Sequence, residues 1–307
     1  MKRPSPSWMP AATTSPRVSS RVAAVEVLAT PPEMRAWRRA RGGSVGFVPT
    51  MGYLHEGHLT LVRRSVAEND ATVASIFVNP TQFGPGEDYE RYPRDEVRDL
   101  ALLEEAGVAA VYLPVVADIY PPGFQTFVTV EGVSRRLEGE ARPGHFRAVA
   151  TVVLKLLNAV EPDRAYFGRK DAQQLRVVRR MARDLDLAVD IVPCDIVREF
   201  DGLAMSSRNI YLSPEQRAAA PVLGRALCEA RSLFANGETR ADVLRETARS
   251  MLSEEPLGTV EYVSLADDET LEEVSGTVRC PAVLSLVVRF GQTRLLDNVE
   301  LSLTTPP

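Results

Sequence analysis

The stretch SVGFVPTMGYLHEGHLTLVRRSVAENDATVASIFV (44–78) decides the fold. Its first seven residues, Ser44–Thr50, form a short apolar run that closes on Pro and Thr, with Gly52 just beyond. Such a run reads as a buried strand ended by a turn. Apolar residues then recur at Leu59, Leu61, Val62 and Val66, the spacing of a helix with one buried face. Ala71–Val78 is again a continuous apolar run, a second buried strand. Strand, helix and strand in that order make a βαβ unit, with parallel strands and a helix laid across the sheet.

Working outward, the alternation continues. A long loop, NPTQFGPGEDYERYP, precedes an amphipathic helix over Arg94–Gly107, where the glycine is the C-terminal stop. Val108–Leu113 reads as a strand, Phe146–Val160 as an apolar helix, Arg164–Gly168 as a strand, Ala172–Leu185 as a helix and Val189–Val197 as a strand. Past Asp201 the character changes. Ser213-Pro214 opens a long Ala/Arg/Leu helix, Thr239–Leu252 makes another, and strands follow over Thr259–Leu265, Ala282–Phe290 and Arg294–Leu301. The expectation is an α/β chain: a Rossmann-like parallel-sheet domain over 25–197, then a smaller α+β domain over 198–307 acting as a lid.

Residues 1–24 differ from the rest, being rich in Ser, Pro, Thr and Ala with four basic residues and no acid. They lack the apolar core of a secretory signal. The composition is open to a transit peptide but fits a disordered tail better. The whole chain of 307 residues is 45% hydrophobic and 25% charged, as in an average globular protein. A net charge of −5 gives no basic footprint for nucleic acid. Three widely spaced cysteines, Cys194, Cys228 and Cys280, fit reduced thiols in the cytoplasm better than disulfides or a zinc cage. No apolar run is long enough for a membrane helix.

Only three histidines occur, and His55 and His58 share one turn after the first of these strands. In open α/β sheets, ligands bind at the carboxyl ends of strands, where a helix N-terminus offers N–H groups to phosphate. Two imidazoles three residues apart can both donate to phosphate oxygens, with Gly57 between them letting the backbone come close. HEGH does not have the spacing of a zinc protease motif. Metal binding and simple helix capping are the competing readings.

A second cluster, Gly168-Arg169-Lys170-Asp171 with Gln174 one turn on, can neutralise phosphate through Lys170 and hold magnesium or cap a helix through Asp171. Alone it reads equally as a solvated loop. A third, Met205-Ser206-Ser207-Arg208, is a polar loop at the domain junction that can close over a triphosphate or serve as an ordinary hinge. Asn79-Pro80-Thr81-Gln82 follows the second of these strands and suits a small hydroxylated acid.

Taken together, PTMGYLHEGH (49–58), SIFVNPTQFG (75–84), RPGHF (142–146), FGRKDAQQ (167–174), GLAMSSRN (202–209) and RLLDNVEL (294–301) resemble the pantoate–β-alanine ligase family, of the HxGH nucleotidylyltransferase and class I synthetase superfamily. The resemblance implies ATP-dependent joining of pantoate to β-alanine through a pantoyl adenylate, in a cytoplasmic homodimer. It implies catalytic roles for His55, His58, Lys170 and Arg208. ATP would be held by Pro49, Thr50, Met51, Gly52, His55, Gly57, His58, Gly168, Lys170, Asp171, Val197, Met205, Ser206, Ser207 and Arg208. Pantoate and β-alanine would be held by Asn79, Gln82, Arg142, His145 and Gln174, and Mg2+ would ride on the phosphates with Asp171 beside it. Arg169 departs from the family's usual Glu, which implies altered surface electrostatics and not lost chemistry. Another nucleotidylyltransferase of the superfamily, or a non-catalytic nucleotide binder, are the alternatives.

Overall fold

The computed structural model describes residues 25–302, so the expected tail over 1–24 lies outside the described residues. Two elements precede the first strand read from the sequence: β1 (Glu26–Leu28) and α1 (Pro31–Arg39). Helix α1 carries a plain start signal. Thr30 accepts from the Glu33 N–H, the Glu33 carboxylate answers the Thr30 N–H, and Pro31 occupies the first turn. Strand β1 is three residues long and exists through its partner, pairing with Ala110–Tyr112.

The expected alternation then appears as β2 (Val45–Thr50), α2 (Glu56–Glu68), β3 (Ala71–Ile76), α3 (Glu96–Glu105), β4 (Ala110–Tyr112), α4 (Val116–Ile119), α5 (Glu138–Ala141), α6 (His145–Val160), β5 (Arg164–Gly168), α7 (Ala172–Asp184) and β6 (Asp190–Cys194). Gly107 does stop α3, in the left-handed region at φ +84. The six strands are all parallel in the order β1-β4-β3-β2-β5-β6. Successive side chains of β2 face opposite ways. Val45 and Phe47 pack with Val149, Val153 and Val177 of α6 and α7, while Val48 packs with Leu61, Val62 and Leu103 of α2 and α3. Burying a side chain such as Phe47 is worth roughly 1.5–3 kcal/mol over leaving it in water. The strand order reverses at β2, so β2 and β5 flank the crevice where ligands gather in such sheets.

The long helix expected after Ser213 is instead two. Ser213 caps α8 (Pro214–Ala219), and after Ala220 and Pro221 a second helix, α9 (Val222–Ala235), begins. Proline has no N–H to continue the first ladder, and it starts the next helix readily. Helix α10 (Ala241–Ser253) and an antiparallel sheet, β7 (Gly258–Asp267), β8 (Ala282–Phe290) and β9 (Thr293–Leu301), complete the chain with a core of their own. Strand β9 also meets the parallel-sheet half. Arg169 and Arg176 reach Glu300, and Asp297 pairs with Arg198 at the junction.

Candidate active site

The residues between β2 and α2 make a tight turn. Gly52 (φ +80) and Tyr53 (φ +50) are both left-handed, a conformation that suits glycine and strains tyrosine. Asp99 of α3 holds them there. Its carboxylate, 1% exposed, accepts the N–H groups of Tyr53 (2.6 Å) and Leu54 (2.8 Å). Arg98 adds a hydrogen bond to the Leu54 carbonyl, and Ser207 one to that of Tyr53. Nothing in the sequence marks Asp99, which looks like any acid in the first turn of a helix.

Both histidines cap α2. The Gly57 N–H donates to His55 Nδ1 (3.1 Å), and the His55 N–H donates to His58 Nδ1 (3.3 Å). An N–H can only donate, so each Nδ1 is the bare acceptor and the ring proton of each neutral imidazole sits on Nε2. Capping and ligand donation are therefore compatible, because the cap fixes the tautomer that donation needs. Burial pushes His55 down to about 4, helped by Lys170. Burial pushes His58 down to about 3, helped by His55 and Lys170. Both rings are neutral at pH 7. Gly57 is required for a reason the sequence hides: a Cβ there would lie 2.8 Å from Cε1 of the folded-back His55 ring.

Across the crevice, a single 3-10 turn after β5 presents Lys170 and Asp171. Asp171 makes no cap bond to α7, and its carboxylate lies 3.6 Å from Lys170 Nζ. Arg169 is half-exposed. Its guanidinium is partly buried against Glu300 and Asp195, so its positive charge has acidic partners. A glutamate there would meet Glu300 instead.

The third cluster is closed by a bridge between Arg198 and Ala204 and by the Met205 N–H donating to Val197 O (2.9 Å). Arg208 is already paired, bidentate to Asp88 at 2.9 and 3.0 Å. On the far wall, the buried Asn79 donates to Gln82 Oε1 (3.1 Å), and Gln82 Nε2 donates to Met51 Sδ (3.2 Å), which leaves its second amide hydrogen for the crevice. Arg142 is held by Glu87 (2.6 Å) and reaches Gln82 O. His145 has the opposite tautomer to the other two. Its Nδ1–H donates to Gln82 O (2.9 Å) and its Nε2 accepts from Arg142. Burial, then Arg142, pushes it down to about 4. Arg142 and His145 thus hold the Gln82 backbone.

One crevice collects nearly every residue the sequence singled out. Its lining includes Pro49, Thr50, Met51, His55, Gly57, His58, Asn79, Gln82, Arg142, His145, Gly168, Lys170, Asp171, Gln174, Val197, Met205, Ser206, Ser207 and Arg208. Gly52 does not line it, and a Cβ there would sit 3.0 Å from Asp99 Oδ2 and Ile76. Gly52 shapes the turn. Among the described residues no group of three His, Cys, Asp or Glu side chains could cage a metal, so the paired histidines do not form part of such a centre.

A family model described as pantoate-beta-alanine ligase matches residues 26–300. A pantothenate synthetase of Roseiflexus castenholzii is 58% identical over 277 residues, covering 90% of this chain and 99% of that one. One from Herpetosiphon aurantiacus is 56% identical over 277 residues, covering 90% and 100%. The solved pantothenate synthetase of Thermus thermophilus superposes with a TM-score of 0.86 at 50% identity, over 91% of this chain and all of that one. The pantoate-beta-alanine ligase of Francisella tularensis, solved with beta-gamma ATP and beta-alanine, superposes at 0.73 with 29% identity over 90% and 97%. With residues 26–300 matched by the family model and a relative 58% identical over 90% of its length, the chain belongs to the pantoate–β-alanine ligase family.

Proposed function

We propose that the crevice between β2 and β5 is where the chain carries out the reaction of its family, the ATP-dependent condensation of pantoate with β-alanine to pantothenate. The observation that carries this reading is the pair of neutral imidazoles at the start of α2, whose Nε2–H groups remain for a ligand once the Nδ1 atoms are used in caps. They lie in one crevice with Lys170 and the Ser206–Arg208 loop. That set suits a triphosphate. Neutral donors and the N-terminus of a helix stabilise developing negative charge without demanding a proton.

In this reading the pantoate carboxylate attacks the α-phosphorus, pyrophosphate leaves, and the β-alanine amine then displaces AMP from the acyl carbon. His55, His58 and Lys170 hold the phosphates, and Ser206, Ser207 and Arg208 close over them. The Asp88–Arg208 pair must give way, at least in part, for the guanidinium to reach a phosphate. Met51 and Val197 seat the adenosine by their backbone. Gln82, oriented by Asn79, and Gln174 bind pantoate, while Arg142 and His145 support Gln82. Mg2+ bound to the triphosphate would supply charge neutralisation there. Asp171, which makes no cap bond to α7, would be the carboxylate available to such an ion, which keeps most of its water and phosphate ligands.

The two-domain division at residue 198, with the second part as a lid, has support in the separate core of α9, α10 and β7–β9. The homodimeric state and cytoplasmic location are carried over from the family, and no described helix is long and apolar enough to cross a membrane. The test is AMP formation by the purified chain. AMP should form only when ATP, D-pantoate and β-alanine are all present. Adenylylation of a phosphorylated acceptor in place of pantoate would favour another nucleotidylyltransferase.

A further inference from the structure

The motif RLLDNVEL carries no role in the reading above, yet three of its residues, Leu296, Asp297 and Asn298, line the crevice from the far domain. Asn298 of β9 is 2% exposed, and its amide donates both hydrogens to successive carbonyls, Arg169 O at 3.0 Å and Lys170 O at 2.7 Å. Asp297, also 2% exposed, accepts both arms of Arg198 at 2.6 and 3.0 Å, and its Oδ1 accepts the Asn298 N–H. Arg198 in turn donates to Gly202 O (3.0 Å), at the base of the hairpin that ends in Met205-Ser206-Ser207-Arg208. Helix α9 presses on the same point, where a Cβ on Gly224 would lie 2.5 Å from Gly202 O. Buried polar groups persist when their partners are complete, and these two side chains are completed by the two phosphate-facing segments.

We propose that Asp297-Asn298 is a positioning pair for adenylate formation. One strand of the C-terminal sheet sets the height of Lys170 and the base of the Ser206–Arg208 loop together, so the two clamps close on one triphosphate in register. The proposal rests on the reading of Lys170 given above. Asn suits position 298 because two carbonyls need two donors. The isosteric Asn298→Asp would set a carboxylate against both oxygens.

The test is a double-mutant cycle of Asn298→Ala and Lys170→Ala, followed by the rate of pyrophosphate release from ATP and pantoate and by the rate at which isolated pantoyl adenylate reacts with β-alanine. Misplacement of a catalytic group by about an ångström costs up to roughly a hundredfold. Asn298→Ala should therefore slow the first reaction by about tenfold to a hundredfold and change the second less than about threefold. In the Lys170→Ala background the same change should add less than about threefold, because the group it positions is gone. Asn298→Ser, which keeps one donor, serves the same cycle if the alanine chain does not fold. A full, multiplicative loss in the Lys170→Ala background, or equal slowing of both half-reactions, would overturn the proposal while leaving Lys170 in place. A Lys170→Ala chain with ordinary pyrophosphate release would overturn the Lys170 reading and the proposal with it.

Discussion

His58 does two jobs through two nitrogens, and two substitutions separate them. Asparagine places an amide oxygen near the position of Nδ1, so His58→Asn retains an acceptor for the His55 N–H but lacks the Nε2 donor. His58→Ala lacks both. The cap bond is long at 3.3 Å, and loss of a helix cap costs about 1 kcal/mol. For a chain of 307 residues that is a fall in Tm of about 1–2 °C. Loss of one preorganised donor to a developing oxyanion costs about 10²–10³ in rate. The expectation is that both variants lose that factor in pyrophosphate release, while His58→Ala alone loses the degree or two. Stopped-flow or coupled pyrophosphate assays give the first quantity, and calorimetry the second. If His58→Asn held its rate within about threefold while His58→Ala lost a hundredfold, the histidine would act through its cap alone, and the Nε2 assignment would be wrong.

The other predictions concern the same site. Lys170→Ala should slow adenylate formation strongly and leave preformed pantoyl adenylate reacting with β-alanine at its ordinary rate; equal losses in both steps would remove Lys170 from the phosphates. Gln82→Ala removes hydrogen bonds worth about 1–3 kcal/mol and should raise the KM for pantoate by about tenfold, with that for ATP little changed. A raised KM for ATP alone would place Gln82 at the nucleotide. All three histidines of the chain have pKa values lowered from 6.5, to about 4, 3 and 4 for His55, His58 and His145, chiefly by burial. The unfolded chain thus takes up protons near pH 6.5 that the folded chain refuses. Stability present above pH 6.5 should fall as pH drops toward 4, by up to about 1.4 kcal/mol per pH unit for each histidine. Urea midpoints measured from pH 7.5 to 5 report this, and a flat profile would mean that the rings ionise freely in the folded state.

The α/β class and the parallel sheet were legible because they rest on local patterns. Apolar runs bounded by Pro and Gly mark buried strands, and the intervening 3.6-residue period marks their covering helices. The histidine turn was legible as a candidate site because so few histidines occur and two share one turn. Strand β1 was not legible, since three residues carry no period and its stability comes from β4. The break at Pro221 stands in the sequence as the proline itself, set within an otherwise helical Ala/Arg/Leu run. What each polar group does at the site was decided by contacts distant in the chain. Asp99 holds the histidine turn from 46 residues away, Asp88 pairs with Arg208 across 120, and Asn298 holds the Lys170 turn across 128. The sequence determined which chemical groups are available and at which strand ends they emerge, because propensity and periodicity act over a few residues. Which nitrogen of each histidine is free, which arginines are already paired and which strand sets the height of Lys170 follow from partners brought together only by folding, and hydrogen bonds and charges act through space.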